Sequence, residues 1–222
     1  MNNRIILPVV ILIITLSSCS SSRFNTANNM NNIYGSVYLR DGRVLDGGIT
    51  VALENTFGSR DYIRFTPRKE NERERQKIYI EDIEGIEIRG SYYAPKYIDE
   101  GFLSGDRMLF VKRLTRADSR IQLYELHKQR TNNNRYGTYT EDDYYYYLTL
   151  PGQDRYKAWS LSGKHMVPNF EDKMSEYVKD CPQLAQKIKN KEKGYFYAQV
   201  SLAGQKRIET ILNIIDEYNA CR

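Results

Sequence analysis

Three spacings of apolar residues divide this chain. From Ile5 to Leu16 they run together on every face with no period. From Ile33 to Leu161 they alternate with polar residues in short runs separated by turn residues, the period of half-buried strands. From Phe170 onward they recur at three and four positions, the period of amphipathic helices. Closely spaced alternating runs predict an antiparallel meander or small barrel, and the late change of period predicts a helical tail. The fold class is therefore α+β. The divisions are a leader over 1–18, a polar tether over 19–32, a β domain over 33–162 and a helical region over 163–222.

Within the β domain, Ser36 to Leu39 and Arg43 to Leu45 flank Asp41-Gly42, a strong hairpin signal. Gly47-Gly48 reads as a break, after which Ile49, Val51 and Leu53 share one strand face. Tyr62 to Phe65 is another short strand, and the charged stretch from Pro67 to Lys77 is a loop. Ile78, Ile80, Ile83, Ile86 and Ile88 predict two strands around Glu81-Asp82. Met108 to Val111 and Ile121 to Leu126 predict a hairpin, Asn132 to Asp143 a polar loop, Tyr144 to Leu150 a strand and Tyr156 to Leu161 its return.

In the tail, Asn169 is the expected cap of a first helix whose inner face is Phe170, Met174, Tyr177 and Val178. Asp180 is the expected cap of a second, with Pro182 early, where a missing N–H is tolerated. A third helix runs from about Leu202 to Tyr218, with Ile208, Ile211, Leu212, Ile215 and Tyr218 as its stripe. If the second and third helices pack antiparallel, Cys181 and Cys221 meet at their ends.

The apolar run near the N-terminus follows Arg4 and contains Pro8. It is shorter than the roughly 20 residues that cross a bilayer. With its basic start and small-residue end it reads as a secretory signal peptide. Leu16-Ser17-Ser18-Cys19 resembles a bacterial lipobox. That resemblance implies cleavage before Cys19 and lipid on its sulfur and amine, an anchor of several acyl chains. Ser20 in place of an aspartate favours the outer membrane. The absence of acidic residues just after the cysteine favours its periplasmic face.

A mature chain of roughly 200 residues suits one domain or two small ones. The net charge of +5 is carried by scattered basic residues, which is no nucleic-acid footprint. Nineteen tyrosines against seven phenylalanines and one tryptophan suit strands with half-exposed faces. With Cys19 assigned to lipid, Cys181 and Cys221 form an even pair in an oxidising compartment, where a disulfide is expected. It would close a ring of roughly 40 residues, worth about 4 kcal/mol in the chain-entropy picture.

Catalytic chemistry is hard to place. His127 and His165 lack a nucleophile motif in their surroundings and read as surface imidazoles. The acidic pairs Glu81/Asp82 and Asp99/Glu100 and the run Glu141 to Asp143 read as turn residues. No Ca²⁺-loop spacing and no phosphate-binding glycine loop occurs, so no catalytic residue, metal or cofactor is assigned. The candidate binding feature is aromatic. Tyr144, Tyr145, Tyr146 and Tyr147 would send alternate rings to opposite strand faces, one pair inward and one toward a partner peptide or sugar ring, with Tyr136 and Tyr139 nearby.

Gly35 to Gly47 (GSVYLRDGRVLDG), Tyr79 to Ile86 (YIEDIEGI), Asp180 to Ile188 (DCPQLAQKI) and the ending Tyr218 to Cys221 together resemble a group of Bacteroidetes envelope lipoproteins. The resemblance implies location and architecture, and no activity. The first β section also weakly resembles SH3-like and Sm-like barrels. The expected function is that of a lipid-anchored, non-catalytic binding or assembly module with an envelope protein or glycan as partner. An envelope hydrolase or enzyme inhibitor is one alternative, and a structural subunit of an envelope complex is another.

Overall fold

The computed structural model describes residues 22–54, 61–67, 75–99, 106–135, 137–163, 166, 168–197 and 204–221. The leader 1–18, Cys19, Tyr136, His165 and most of the charged loop after Pro67 lie outside the described residues.

The chain is mainly an antiparallel sheet with three helices near its C-terminus, an α+β meander. The strands are β1 (Arg23–Thr26), β2 (Asn29–Leu39), β3 (Val44–Ala52), β4 (Tyr62–Pro67), β5 (Gln76–Tyr79) and β6 (Ile83–Ile88). After them come β7 (Ser91–Asp99), β8 (Asp106–Arg113), β9 (Gln122–Asn134), β10 (Gly137–Thr149) and β11 (Lys157–Ser160). The helices are α1 (Phe170–Tyr177), α2 (Pro182–Lys189) and α3 (Gly204–Ala220). Among the described residues no helix is long and apolar enough to cross a membrane.

The first lobe has the strand order β6-β2-β3-β4-β5, with a 3-10 turn at Ile80–Asp82 between its last two strands. After that turn β6 returns to the far edge and pairs with β2. Val37, Ile49, Ile63, Ile83 and Ile86 are fully buried in this lobe. Gly47-Gly48 is not a break. β3 runs through both glycines because a Cβ at Gly47 would lie 2.2 Å from the Thr66 carbonyl oxygen, and one at Gly48 would lie 2.2 Å from Asn32 Oδ1. The glycines serve close approach of neighbouring strands.

The second lobe closes on itself. β7 pairs with β8, β8 with β9, β9 with β10, and β10 with β11. Then β11 lies parallel to β7, with Lys157 opposite Tyr97 and Ala158 opposite Ile98. By register, Ile98, Leu109, Val111, Leu126, Tyr147 and Ala158 share the inner face of this five-stranded ring, and all are buried. The opposite face presents Leu123, Leu148 and Trp159 to the helices, where they join Phe170, Met174, Leu184, Ile188, Ile211 and Ile215 in a second core.

The polar tether is shorter than expected. Arg23 to Thr26 already form β1, and β2 starts at Asn29, with Thr26, Ala27, Asn28 and Met30 buried. Polarity does not keep this segment in solvent because its polar groups are satisfied inside. The Asn28 side-chain amide donates to the Phe110 carbonyl at 2.9 Å and accepts from the Phe110 N–H at 2.7 Å, standing in for a strand rung.

Two expected caps are also corrected. Asn169 takes a left-handed conformation, φ 62°, and makes no side-chain cap; the nearby Glu171 pairs instead with Lys191 at 2.8 Å. Asp180 does not cap α2, whose cap position is Cys181. Its carboxylate accepts from the Tyr218 hydroxyl at 2.7 Å and from the Arg120 guanidinium. Arg120 also lies 3.7 Å from the Tyr218 ring centroid, and its backbone N–H donates to Asn219 at 2.9 Å. The β8–β9 turn is thereby clamped to the end of α3, beside the Cys181–Cys221 disulfide.

Replacing Cys181 and Cys221 by serine is expected to cost about 2–4 kcal/mol. Urea unfolding checks this. Reductant should shift the native chain to the midpoint of the double variant and leave the variant where it is.

Candidate functional site

β9 and β10 are each 13 residues long and pair without interruption from Gln122 opposite Thr149 to Asn134 opposite Gly137. Only their root belongs to the ring. β8 reaches β9 at Tyr124 and Glu125, and β11 reaches β10 at Tyr147 and Leu148. The remaining eight pairs, from His127 opposite Tyr144 outward, form a projecting two-stranded arm. At strand rise it extends roughly 26 Å. The expected loop from Asn132 to Asp143 is therefore wrong. The stretch is polar because both faces of the arm meet solvent, and on either side of its turn it remains strand because each residue of β9 and β10 has a partner opposite. Among the described residues no further strand pairs with either edge of the arm.

Opposite charges on facing strands reinforce the arm. Lys128 and Arg130 on β9 stand opposite Asp143 and Glu141 on β10. Arg130 Nε lies 2.7 Å from Asp143, the Asn132 amide donates to Glu141 at 2.9 Å, and His127 Nε2 lies 2.8 Å from Asp142. Hydrogen bonds from His127 and Gln129 hold the Asp142 carboxyl below the usual carboxylate range. The acidic run is thus spread over rungs on both faces. Among the described residues no three His, Cys, Asp or Glu side chains converge as metal ligands do.

The structure separates the candidate tyrosines. Tyr139, Tyr144 and Tyr145 are exposed, at 45%, 51% and 37%. Tyr146 is half-buried, and its hydroxyl lies 3.2 Å from a Glu125 carboxylate oxygen. Tyr147 is buried on the inner face of the ring, the inward-facing position. Tyr145 accepts a hydrogen bond from Arg130 at 2.9 Å, and Tyr144 stacks on His127 with ring centroids 4.8 Å apart. His127 is thus half-buried and doubly engaged, not a lone surface imidazole.

A cavity of about 200 Å³ sits at the root of the arm. Phe24, Ala27, Tyr93 and Phe110 line it together with Lys112, Glu125, His127 and Tyr144. No serine, threonine or cysteine is among these lining residues; the hydroxyls beside His127 are the phenols of Tyr93 and Tyr144.

On the other face of the same strands lies a group absent from the sequence-derived candidates. Lys96 belongs to β7 between Ala94 and Ile98, and only 8% of it is exposed. Its ammonium donates to the Arg155 carbonyl and lies 4.9 Å from the Tyr124 ring centroid. Burial pulls the amine down to about 8, against an opposing pull from Glu84. Burial also pushes the Tyr124 phenol up to about 12.

An amine that holds its proton less firmly when folded makes stability rise with pH. Between about 8 and 10.5 the unfolded chain binds the extra proton, so raising pH favours the folded form. Lys96→Met is expected to remove that rise and to stabilise the protein at pH 7 by up to about 3 kcal/mol. Unfolding of both proteins from pH 7 to pH 9 checks this, below the range where ionisation of tyrosines in the unfolded chain reverses the trend.

No family model, no curated protein and no solved structure matches this chain.

Proposed function

We propose that this chain is a lipid-anchored, non-catalytic binding or assembly module of the bacterial cell envelope, and that the β9–β10 arm is its docking element. The observation that carries the reading is a stiff ribbon of eight residue pairs, bearing Tyr139 and Tyr144 with Tyr145 at its root, whose edges pair with no further strand among the described residues. Open edges are templates for strand addition, and exposed tyrosines are frequent interface anchors. The edges favour a partner protein over a glycan, because backbone hydrogen bonds along a strand are completed by another strand. The hydrolase alternative is less well supported, since the His127–Asp142 pair is a diagonal cross-strand contact of the arm and the adjoining cavity is lined by no serine, threonine or cysteine.

The envelope location rests on the leader, on the lipobox-like Leu16 to Cys19 and on the resemblance to Bacteroidetes envelope lipoproteins. The Cys181–Cys221 bridge supports an oxidising compartment. In this reading Cys19 carries the lipid and the folded part stands at the periplasmic face of the outer membrane.

Two experiments test the proposal. In the first, residues 128–143 are replaced by Asn-Gly, a two-residue turn that can join His127 to Tyr144. Both cores are left intact, so the unfolding transition should stay within a few degrees of the native one, while a partner crosslinked in cells and recovered with the native chain is lost. Undiminished recovery of that partner by the folded variant would refute the docking role. In the second, Cys19→Ala should move the protein from the membrane fraction to the soluble fraction without changing its unfolding midpoint. Retention in the membrane fraction would rule out the anchor.

A further inference from the structure

A small cleft lies where the first lobe meets the inner face of the ring. Its volume is about 60 Å³, several times the 10–15 Å³ that a single water requires. Three cations line it from different elements: Lys96 on β7, Arg113 at the end of β8, and Arg155 in the β10–β11 turn. One carboxylate, Glu84, lines it with them, 3.7 Å from Arg155. Arg40 stands just outside, its guanidinium 4.1 Å from the Tyr156 ring centroid.

All three cations lie against aromatic rings; Arg155 donates to the Tyr156 hydroxyl at 2.5 Å, whereas Lys96 and Arg113 are short of acceptors. Arg113 stacks 4.2 Å from the Tyr92 ring centroid, and Arg155 stacks 4.7 Å from that of Tyr156. Among the described residues, the Lys96 ammonium has one hydrogen-bond acceptor for three N–H groups, and no carboxylate lies within ion-pair distance of it. The Arg113 guanidinium has no hydrogen-bond acceptor among the described residues. A buried ammonium is costly unless its donors are satisfied. An ordinary structural site would have placed a carboxylate on Lys96 or an apolar side chain in its stead. Ring stacking supplies attraction but fills none of the N–H donors.

We propose that this cleft binds a phosphate group. Three cations approaching from three strands or turns suit an anion with several oxygens in three dimensions. A planar carboxylate would be satisfied by the fork of one arginine. The volume accommodates the phosphate and not a large molecule, so any remaining part of the ligand would extend into solvent. The groups facing the anion are Lys96, Arg113, Arg155 and Arg40, with Glu84 and Asp154 opposing them. Lys96, with its amine at about 8, carries its proton at neutral pH and supplies a full charge. The phosphate has two natural sources, free phosphate and the headgroup of an anionic lipid.

Titration calorimetry of the full chain separates these sources. The probes are sodium phosphate, sodium acetate, and phosphatidic acid with two six-carbon chains used below its micelle concentration. Phosphate is expected to bind at millimolar concentration or below and more tightly than acetate. Lys96→Met and Arg113→Gln are each expected to weaken it by at least about tenfold. Lys128→Met, on the arm, should leave binding unchanged. Unfolding curves establish that the variants fold, and Arg113→Gln carries the test if Lys96→Met does not. Binding of phosphate alone supports a free-ion site, and tighter binding of the short-chain lipid supports a headgroup site. The proposal is overturned if neither phosphate probe binds at concentrations on the order of 10 mM, if acetate is preferred, or if the folded variants bind as the native chain does.

Discussion

The root of β9 and β10 is buried on both faces, and the rest of the molecule is arranged around that constraint. Tyr124, Leu126 and Tyr147 point into the ring, while Leu123 and Leu148 point into the helical core. A strand pair held this way cannot rotate or slip by one residue without exchanging its two sets of buried side chains. It therefore anchors whatever continues beyond it. A free two-stranded hairpin is marginal in water. Here eight exposed pairs persist because five further pairs are clamped between two cores. The same clamp gives the helices their seat, and the Arg120–Asp180–Tyr218 cluster with the disulfide holds them on it.

Much of this was legible in the spacing of residues. The isoleucines from Ile78 to Ile88, the change of period at Phe170 and the placement of Cys181 and Cys221 at adjoining helix ends needed only periodicity. The misreadings share one cause. Polar and glycine-rich stretches read as irregular chain, although polarity reports solvent or internal partners and not the absence of strand. The Asn-rich segment before Ile33 is a strand because Asn28 bonds the backbone of Phe110 across 82 positions of sequence, a partner that local spacing does not reveal. The run Asn132 to Asp143 holds the end of β9 and the start of β10 although neither face is apolar, and alternation of apolar residues detects only strands with one face buried. Its cross-strand charge order, basic on β9 and acidic on β10, was present in the sequence but is meaningful only once the hairpin is known.

The candidate sites were legible to different degrees. The four consecutive tyrosines do split by strand alternation, but the split falls between arm and ring as well as between faces. Tyr144 and Tyr145 lie past the last rungs made with β8 and β11, whereas Tyr147 lies within their reach. Where neighbouring strands stop is a tertiary fact. Lys96 was more accessible: Ala94, Lys96 and Ile98 occupy one face of a strand, and a lysine between two buried positions is an anomaly that alternation alone exposes. Its significance depends on Arg113 and Arg155, which reach the same cleft from β8 and the β10–β11 turn.

The alternation that buries the root also separates the two proposed activities. The cavity at the arm root uses Tyr93, Lys112, Glu125 and His127, and the cationic cleft uses Tyr92, Arg113, Tyr124 and Lys96. These are adjacent or nearly adjacent residues of the same three strands, sent to opposite faces by the pleat. A change of side chain on one face therefore leaves the lining of the other in place, and the arm and the cleft can be altered independently. Any influence of one on the other would have to pass through displacement of β7, β8 or β9 themselves. Those strands are fixed by the closed ring on one side and by the helical core on the other. Docking at the arm and phosphate binding in the cleft are thus expected to be additive. Measurable coupling between them would mean that the ring opens, with the short parallel contact between β7 and β11, two residue pairs long, as its weakest seam.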